Sequence, residues 1–358
     1  MSRLEGNITA TWAPVASGTT DHLYWVWGTT VRVWAVGAGG TILYWNGSLW
    51  SPVPSGATVG LLGMWGSGAS DVWAVGWAGT IVRWTGVAWS PASRGVTSSL
   101  YSIWGSGADD VWAAGWGGAI VRWTGTAWSP VASGTAATLY AVWGSAAGDV
   151  WAAGSGGAIV RWDGTSWRPV ASGTTDLLYA LGGSSAYDVW AVGWAGTIRH
   201  WGGTSWSPVA SGTTSSLQAV WGSGADDVWA VGWAGTIRHW DGTSWSPVAS
   251  GTTDHLFSVW GSGPGDVWAA GDTGTIVRWS GTAWNPVASG TTDSLRSVWG
   301  SGPNDLWAVG TGGTILHWAG AAWSPVNSGA ASALWSVWGS GAGPVRAVGD
   351  AGTILRGP

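Results

Sequence analysis

The feature that most constrains this chain is a sequence unit of about 39 residues that recurs nine times along it. Each copy contains a Leu, then a Val-Trp-Gly triplet or a close variant of it, and later an Ile. The Leu positions lie 38 residues apart in the first interval and 39 apart in every later one: Leu23, Leu61, Leu100, Leu139, Leu178, Leu217, Leu256, Leu295 and Leu334. A tandem period of this length indicates an array of stacked structural repeats rather than an ordinary globular core.

Each unit has the pattern of four short β-strands. In the sixth unit we predict them at residues 217–221, 227–232, 236–240 and 244–248. These runs are rich in Val, Ile, Thr and Trp, which suit a pleated surface. The pair Asp241-Gly242 indicates a tight hairpin turn, because Gly adopts positive φ easily, and Asp163-Gly164 and Asn46-Gly47 repeat the signal. Four short antiparallel strands in each unit predict an all-β protein, a β-propeller with one unit per blade.

The number of units predicts a single closed ring of nine four-stranded blades. The chain begins with a segment that has the pattern of a fourth strand and ends after a third strand, so we expect Trp12–Val15 to complete the blade of Leu334–Arg356. This pairing would close the ring and remove exposed sheet edges. Residues 1–10 are then an amino-terminal extension, and residues 11–358 form the propeller. Nine blades exceed the usual range of about four to eight, so an eight-bladed ring is the alternative; in either case we expect a monomer.

Tryptophan accounts for 39 of the 358 residues, and 33 of these fall into four columns of the repeat. In the sixth unit the columns are represented by Trp221, Trp229, Trp240 and Trp245. Because blades diverge with distance from the axis, the outer strands need large side chains to fill the space between neighbours. We therefore predict that these columns form the core, where a buried aromatic side chain stabilises the fold strongly.

Two polar columns accompany the tryptophans. An Asp precedes the second strand in seven units, and we predict that it caps the turn by accepting backbone N–H bonds. One carboxylate per loop is too few for calcium, which takes about six to eight oxygen ligands. A basic residue lies in the third strand, and we expect it to pack on the second-strand indole, as Arg83 on Trp73 and Arg278 on Trp268. The alternative is a ring of donors for anions or sugar hydroxyls.

Differences between the units point to candidate ligand-binding residues. The turn between the second and third strands begins with Trp in four units: Trp77, Trp116, Trp194 and Trp233. The linkers that lead into the first strands share a face with these turns and carry Asp and His, as in Asp254-His255. Exposed indoles beside Asp and His are typical of sites that stack on sugars and bond their hydroxyls, and loops often carry binding residues. The alternative is that these indoles only cover neighbouring loops.

Composition argues against several other functions. The chain has no Cys and no Lys, and Glu5 is its only Glu. It shows no nucleophile with both a base and an orienting group, so we predict no enzymatic activity, no catalytic residues, no metal and no cofactor. A formal net charge of −5 without basic clusters argues against a nucleic-acid partner. No apolar stretch of about 18 residues is present, so we expect no membrane insertion, and MSRLEGNITA does not have the pattern of a signal peptide.

Segments such as Trp221–Gly232 and Gly235–Trp245 resemble the Trp-rich, highly repetitive β-propeller repeats of bacterial secreted and surface proteins. This resemblance implies a propeller fold and a secreted or cell-surface location, and it implies no activity. The turn Asp241–Trp245 resembles in part the Asp-box of sialidase-type propellers. It lacks one residue between Asp and Gly, so no sialidase role is transferred. Propeller lectins with aromatic sugar sites are a distant analogy.

Two functions remain open from the sequence. The first is a non-enzymatic, multivalent binding module that binds glycans through the exposed Trp, Asp and His side chains of one face. The second is a structural or protein-interaction scaffold that has no small ligand. Residues 192–201 and 231–240 are identical in sequence, which favours recent amplification or design and is compatible with the second function. The expected partner is accordingly a carbohydrate or a protein surface.

Overall fold

The computed structural model describes residues 13–14, 17, 19–29, 32–46, 49–92, 96–326, 331–338, 345–350 and 354–356. Within these residues the chain forms short β-strands joined by turns and by three-residue 3₁₀ turns. The strands of the amino-terminal half are β1 (Ala13–Pro14), β2 (Leu23–Gly28), β3 (Val33–Gly37), β4 (Ile42–Trp45), β5 (Trp50–Pro52), β6 (Leu61–Gly68), β7 (Asp71–Gly76), β8 (Ile81–Trp84), β9 (Trp89–Pro91), β10 (Leu100–Gly107), β11 (Asp110–Gly115), β12 (Ile120–Trp123), β13 (Trp128–Pro130), β14 (Leu139–Ala146), β15 (Asp149–Gly154), β16 (Ile159–Trp162) and β17 (Trp167–Pro169).

The strands of the carboxy-terminal half are β18 (Leu178–Ser185), β19 (Asp188–Gly193), β20 (Ile198–Trp201), β21 (Trp206–Val209), β22 (Leu217–Gly224), β23 (Asp227–Gly232), β24 (Ile237–Trp240), β25 (Trp245–Val248), β26 (Leu256–Gly263), β27 (Asp266–Gly271), β28 (Ile276–Trp279), β29 (Trp284–Pro286), β30 (Leu295–Gly302), β31 (Asp305–Gly310), β32 (Ile315–Trp318), β33 (Trp323–Pro325), β34 (Leu334–Trp338), β35 (Arg346–Gly349) and β36 (Ile354–Arg356). The 3₁₀ turns join second to third strands at Ala38–Gly40, Trp77–Gly79, Trp116–Gly118, Ser155–Gly157, Trp194–Gly196, Trp233–Gly235, Asp272–Gly274 and Thr311–Gly313.

Strands β2 to β33 form eight antiparallel sheets, and each sheet consists of four consecutive strands in chain order. The register repeats from sheet to sheet; in β22–β25, Trp221 lies opposite Trp229 and Trp240 lies opposite Trp245. The first strands of neighbouring sheets lie against one another, so they surround a common axis. The predicted all-β propeller of tandem Trp-rich repeats is confirmed.

The ninth unit differs from the other eight, and the prediction of nine equivalent four-stranded blades is wrong. Eight blades are complete and contiguous, whereas β34, β35 and β36 are joined to β1, a strand of two residues; among the described residues, Ala13 pairs with Arg356 and Pro14 with Leu355. The predicted closing residues Trp12 and Val15 lie outside the described residues, as does the extension 1–10, so that domain division stays a prediction. The unit also departs from the repeat in sequence, because Arg346 stands where the other eight units have the second-strand Trp, whose indole is fully buried in those blades.

The hydrophobic core is divided into clusters that lie between neighbouring sheets. In one cluster Trp229 and Ile237 of one sheet pack against Leu256, Val267 and Trp284 of the next. The second-strand Trp is fully buried in all eight complete blades: Trp34, Trp73, Trp112, Trp151, Trp190, Trp229, Trp268 and Trp307. The predicted core role is confirmed for this column and for the fourth-strand column between Trp50 and Trp323. In the first-strand column, the Trp side chains of the described residues between Trp27 and Trp299 are only half-buried.

The basic column lies between indoles of two neighbouring blades. The Arg83 guanidinium carbon lies 4.7 Å from the ring centroid of Trp73, its cross-strand partner, and 4.5 Å from that of Trp123 in the next blade. Where the column carries His, the imidazole stacks instead; His239 lies 3.9 Å from Trp229 at an interplanar angle of 16°. The predicted packing on the indole face is confirmed, including that of Arg278 on Trp268 at 4.8 Å. Favourable cation–aromatic or ring contacts link two blades in this way at Arg83, Arg122, Arg161, His200, His239 and Arg278.

The Asp before each second strand has partners other than the predicted ones. Asp227 accepts a hydrogen bond from Ser223 Oγ at 2.6 Å and one from Trp229 Nε1 at 2.9 Å, and its Oδ1 lies 2.7 Å from His239 Nε2. These donors are side chains, so the prediction of a backbone N–H cap is wrong. The antiparallel register explains the difference, because it brings the basic residue twelve positions later in the sequence next to the carboxylate.

The same arrangement in the fifth unit changes the acidity of Asp188. Burial raises the pKa of this carboxyl group, but hydrogen bonds from His200 and Ser184 together outweigh burial, so the pKa lies below its ordinary value. The carboxylate therefore remains ionised in the folded protein over the neutral pH range. It holds His200 in the position from which the imidazole stacks on Trp190 at 3.9 Å.

The Asp-Gly turns between third and fourth strands form as predicted. Asp241 Oδ1 accepts bonds from the backbone N–H groups of Thr243 and Ser244, both at 2.9 Å, and from Thr243 Oγ1 at 2.7 Å. These bonds lower the pKa of Asp241 to about 2. Gly242 adopts φ +90° and Gly164 adopts φ +94°, the conformation that makes Gly favourable there. Gly47 lies outside the described residues.

Arg83 Nε donates to Asp71 Oδ1 at 2.8 Å. We predict that Arg83→Ala lowers the free energy of unfolding by about 1–3 kcal/mol, since it leaves the Asp71 carboxylate without its charged partner and empties the space between two indoles. Urea denaturation followed by circular dichroism measures the change. Arg168→Ala is the control, because the Arg168–Asp163 pair lies on the surface with the Arg side chain 70% exposed and should change stability by less than about 1 kcal/mol. Equal effects of the two substitutions would contradict the stabilising role of the inter-blade contact.

Candidate functional site

The turn between the second and third strands has a recurring backbone that places its first residue at the surface. In Trp233–Gly235 the Thr236 N–H donates to the Trp233 carbonyl oxygen at 3.1 Å, and Ala234 and Gly235 adopt φ +53° and +65°. A side chain at Gly235 would collide with the carbonyl oxygen of Thr252, so only Gly fits there. The Trp is consequently carried on a rigid turn.

Backbone hydrogen bonds fasten the Trp233 turn to two linkers. The Trp233 N–H donates to the Ser216 carbonyl oxygen at 2.9 Å, in the linker of its own unit, and the Gly235 N–H donates to the Asp254 carbonyl oxygen at 2.7 Å, in the linker of the next unit. The turns and linkers therefore form one surface of the propeller, which we call the turn face. Their common location agrees with the sequence-based prediction.

The four Trp residues predicted as ligand contacts are all exposed on the turn face. The exposed fraction is 48% for Trp77, 59% for Trp116, 47% for Trp194 and 38% for Trp233. The Trp77 ring nevertheless covers the backbone beneath it, since a Cβ added to Gly60 would lie 3.4 Å from that ring. For Trp77, both interpretations of the exposed indoles therefore describe part of the geometry, since the ring covers a neighbouring loop and is also 48% exposed.

Three of the predicted residues come together in one place. The rings of Trp194 and Trp233 lie 5.8 Å apart at an interplanar angle of 72°, and Trp233 stacks on His255 at 5.3 Å and 18°. His255 Nδ1 accepts a hydrogen bond from the Ala234 N–H at 2.9 Å, which fixes the imidazole beside the indole. We call Trp194, Trp233 and His255 the aromatic row; it spans the turns of the fifth and sixth blades and the linker into the seventh.

The structure does not join the other two predicted Trp residues to this row. Trp116 and Trp194 are separated by a turn that begins with the small residue Ser155. Within the described part of the chain, Trp77 and Trp116 make no ring contact with each other, although they have the same spacing as Trp194 and Trp233. The four indoles therefore provide one cluster and two isolated rings.

Asp254 is hydrogen-bonded within the protein, which limits the hydrogen bonds that its carboxylate can make to a ligand. Its Oδ2 accepts hydrogen bonds from Thr273 Oγ1 and Thr275 Oγ1, both at 2.5 Å, and these bonds lower the pKa of the carboxyl group. The carboxylate thereby ties the linker to the next turn. Asp176 makes the same tie to Thr197 at 2.5 Å. The acidic residues that the sequence suggested for sugar hydroxyls are thus largely engaged within the protein.

A second aromatic feature, absent from the sequence-based prediction, surrounds the channel at the turn face. It consists of the second residue of each first strand, which we call the belt: Tyr24, Leu62, Tyr101, Tyr140, Tyr179, Gln218, Phe257, Arg296 and Trp335. Neighbouring members touch; Tyr101 stacks on Tyr140 at 5.7 Å, and the Arg296 guanidinium lies 4.6 Å from Phe257 and 5.8 Å from Trp335. The sequence did contain a signal for the belt, since this position varies between the units whereas the Leu before it does not.

Shallow grooves recur on the outer part of the turn face, between a third strand and the linker that follows the fourth strand. Two of them have volumes of about 840 and 880 Å³, and Val160 and Val277 lie on their walls. The two grooves that contain Arg199 or Arg238 are smaller, about 670 and 620 Å³, because the longer side chain occupies the space and donates to a linker carbonyl at 2.8 or 2.7 Å. Their periodic recurrence indicates a consequence of the repeat rather than a specialised site.

The described residues show two further properties of this chain. Their helical elements are turns of three residues, none of which has the length or apolarity to cross a membrane. Among the same residues, no three His, Asp or Glu side chains are grouped as metal ligands would be.

Comparison with solved structures shows the fold. The computationally designed Ika8 protein matches with a TM-score of 0.67 and 14% identity, over 96% of this chain and 98% of that one. The carboxy-terminal WD40 domain of Sif2 matches with a TM-score of 0.66 and 10% identity, over 98% and 99% of the two chains. A YCF48 bound to D1 peptide matches with a TM-score of 0.56 and 14% identity, over 99% and 96%. At such identities the similarity establishes a β-propeller and nothing narrower.

No family model matches the chain, and no curated protein does.

We predict that the tie between Asp254 and the next turn weakens in acid. Because the folded-state pKa lies below the unfolded value of about 3.9, the tie contributes stability that is fully present above that value and is lost as the pH falls through the folded-state pKa. A ¹³C NMR titration of the carboxyl group should show its midpoint below the ordinary value, and Thr275→Val should raise that midpoint.

The matched control is Thr236→Val, which removes the equivalent hydroxyl in a unit whose linker has Ser215 in place of the Asp. This substitution should leave the Asp254 titration unchanged. An Asp254 midpoint at or above the ordinary value, or an equal shift in both variants, would contradict the assignment of the bond.

Proposed function

We propose that this propeller is a non-catalytic binding module that recognises segments of other proteins through the aromatic row on its turn face. The observation that carries the proposal is the geometry of the row: Trp194 and Trp233 are each more than one-third exposed, they are held by rigid turns, and the neighbouring Asp254 carboxylate is bonded to two threonines. Such a surface offers apolar and ring contacts with few charges, the composition that favours the centre of protein interfaces.

The belt supports the same ligand class. It places additional Tyr, Phe and Trp side chains around the channel, two residues from the linker that carries His255. A peptide that crosses the row would contact the belt as well, and both surfaces favour Pro and aromatic side chains, which stack on indole and phenol rings. One structurally similar propeller, YCF48, is described as bound to a D1 peptide, which supports a peptide ligand for a module of this architecture.

Carbohydrate is the second candidate ligand, and one observation favours it. Since His255 Nδ1 accepts the Ala234 N–H, the neutral imidazole carries its proton on Nε2. A ring N–H donor beside an exposed indole is an arrangement that stacks on a sugar and bonds a hydroxyl. The engagement of Asp254 by two threonines ranks this candidate below a peptide.

The experiment is a selection from a library of short random peptides on the full chain, followed by calorimetric affinities for the enriched sequences. We predict enrichment of peptides with Pro or aromatic residues. Trp233→Ala and Trp194→Ala should each weaken their binding by about tenfold or more, the usual effect of removing an anchoring Trp. Trp116→Ala is the matched control, because Trp116 occupies the same turn position outside the row, and it should leave affinity within about twofold.

Two outcomes would contradict the proposal. One is the absence of any enriched peptide; the other is peptide binding that the Trp194 and Trp233 variants leave unchanged. A glycan array on the same variants separates the candidates, since sugar binding that is lost in Trp233→Ala without any peptide binding would favour the carbohydrate function.

A further inference from the structure

The fifth unit departs from the repeat at one position. Gly182 is the fifth residue of the first strand of this unit, β18, where the other eight units have Trp. The backbone register is unchanged; Gly182 lies opposite Trp190 just as Trp143 lies opposite Trp151 in the preceding blade. The unit therefore keeps its fold and lacks a single indole.

In the neighbouring units this indole covers a Gly of the next blade. A Cβ added to Gly144 would lie 2.6 Å from the Trp104 ring, and one added to Gly300 would lie 2.8 Å from the Trp260 ring. At Gly222, which follows the fifth unit, the nearest atoms belong instead to Asp227, Val228 and Gly224. Gly222 is exposed, whereas Gly144 is half-buried. The space of one indole is consequently open between the fifth and sixth blades.

This space is a cavity of about 260 Å³ lined by Trp190, Val220, Trp221, Val228 and a short glycine- and serine-containing stretch on each side. The two serine hydroxyls in its wall already donate to carboxylates: Ser184 to Asp188 and Ser223 to Asp227, both at 2.6 Å. The remaining surface consists of indole rings, Val methyl groups and Gly backbone. Its chemistry is therefore that of an apolar, aromatic-walled slot with few free polar groups.

We propose that this cavity binds a free small planar aromatic molecule of the indole class. The occupant is indicated by the repeat itself, since the protein's own indoles fill the equivalent space in other blades. Apolar cavities of about 150 Å³ left by a removed side chain stay dry and bind benzene, and this cavity is large enough for a bicyclic ring. It lies at the end of the blade that carries Asp188, opposite the turn face, and so is independent of the proposed peptide site.

The probe is 3-methylindole, which corresponds to the missing side chain from Cβ outward. Calorimetric titration of the full chain should show one binding site per molecule; calorimetry is required because 39 Trp residues obscure fluorescence changes. Gly182→Trp should weaken binding by about tenfold or more, because the new side chain fills the cavity. A Cβ there would lie 3.3 Å from Val220 Cγ1, a contact that a small movement of the Val side chain relieves.

Two further variants make the test specific. Tyr187→Trp adds an indole at a position 72% exposed in the same unit, and it should leave the affinity within about twofold because it leaves the cavity open. Trp143→Gly removes the indole that covers Gly183 in the same way, and it should create a second site, so that the stoichiometry rises to two. If Trp143→Gly does not fold, the difference in affinity between Gly182→Trp and Tyr187→Trp still tests the proposal.

Several results would overturn the proposal. Absence of 3-methylindole binding to the wild-type chain would do so, as would binding that Gly182→Trp leaves unchanged. Binding of N-acetyltryptophanamide without binding of 3-methylindole would also overturn it, and would assign the cavity to the Trp side chain of a partner protein. None of these results depends on whether Trp194 and Trp233 bind peptides, so failure here is distinguishable from failure of the proposed function.

Discussion

The contact on which the rest of the structure depends is the placement of a cationic or imidazole side chain between indoles of two adjacent blades. It joins the second and third strands of one blade, because Arg83 and Trp73 are cross-strand partners, and it extends to Trp123 of the next blade. The Asp before the second strand holds the basic group in position. Four positions of the repeat, two of which hold Trp, thus provide both the internal register of a blade and its attachment to the next one.

Departures from this set explain where the molecule is irregular. The first unit has Tyr44 in the basic column and still stacks on Trp34 at 4.3 Å and on Trp84 at 6.0 Å, so an aromatic ring replaces the cation without loss of the contact. The ninth unit has Arg346 in place of the second-strand Trp, and its sheet depends on a two-residue strand from the other end of the chain. The ninth unit, which lacks the second-strand indole, therefore has an incomplete blade, whereas the first unit, which lacks the cation, has a complete one.

Hydrogen bonding within the protein also determines which surfaces are available for binding. Carboxylates at both ends of the blade are engaged by hydroxyl, indole or imidazole groups of the protein, as Asp227 and Asp254 illustrate. The turn face exposes aromatic side chains to solvent in the aromatic row and in the belt, as Trp233, Tyr140 and Trp335 show. At the other end, the slot left by Gly182 is lined by indole rings and Val side chains. Ligands of this propeller are therefore expected to be recognised by shape and ring stacking more than by charge.

The repeat in the sequence determined the strands, the propeller, the buried second-strand Trp column and the pairing of Arg83 with Trp73, because all of these follow from local pattern and antiparallel register. It did not determine the completeness of the ninth blade, which depends on pairing between the two ends of the chain. Nor did it assign the Asp column, since the partner of each carboxylate lies on a neighbouring strand. Trp77 and Trp116 have the same spacing as Trp194 and Trp233, yet only the second pair is in contact. Contacts between different blades are set by side-chain packing in three dimensions, and for that reason the aromatic row, the belt and the cavity at Gly182 were decided by the tertiary structure alone.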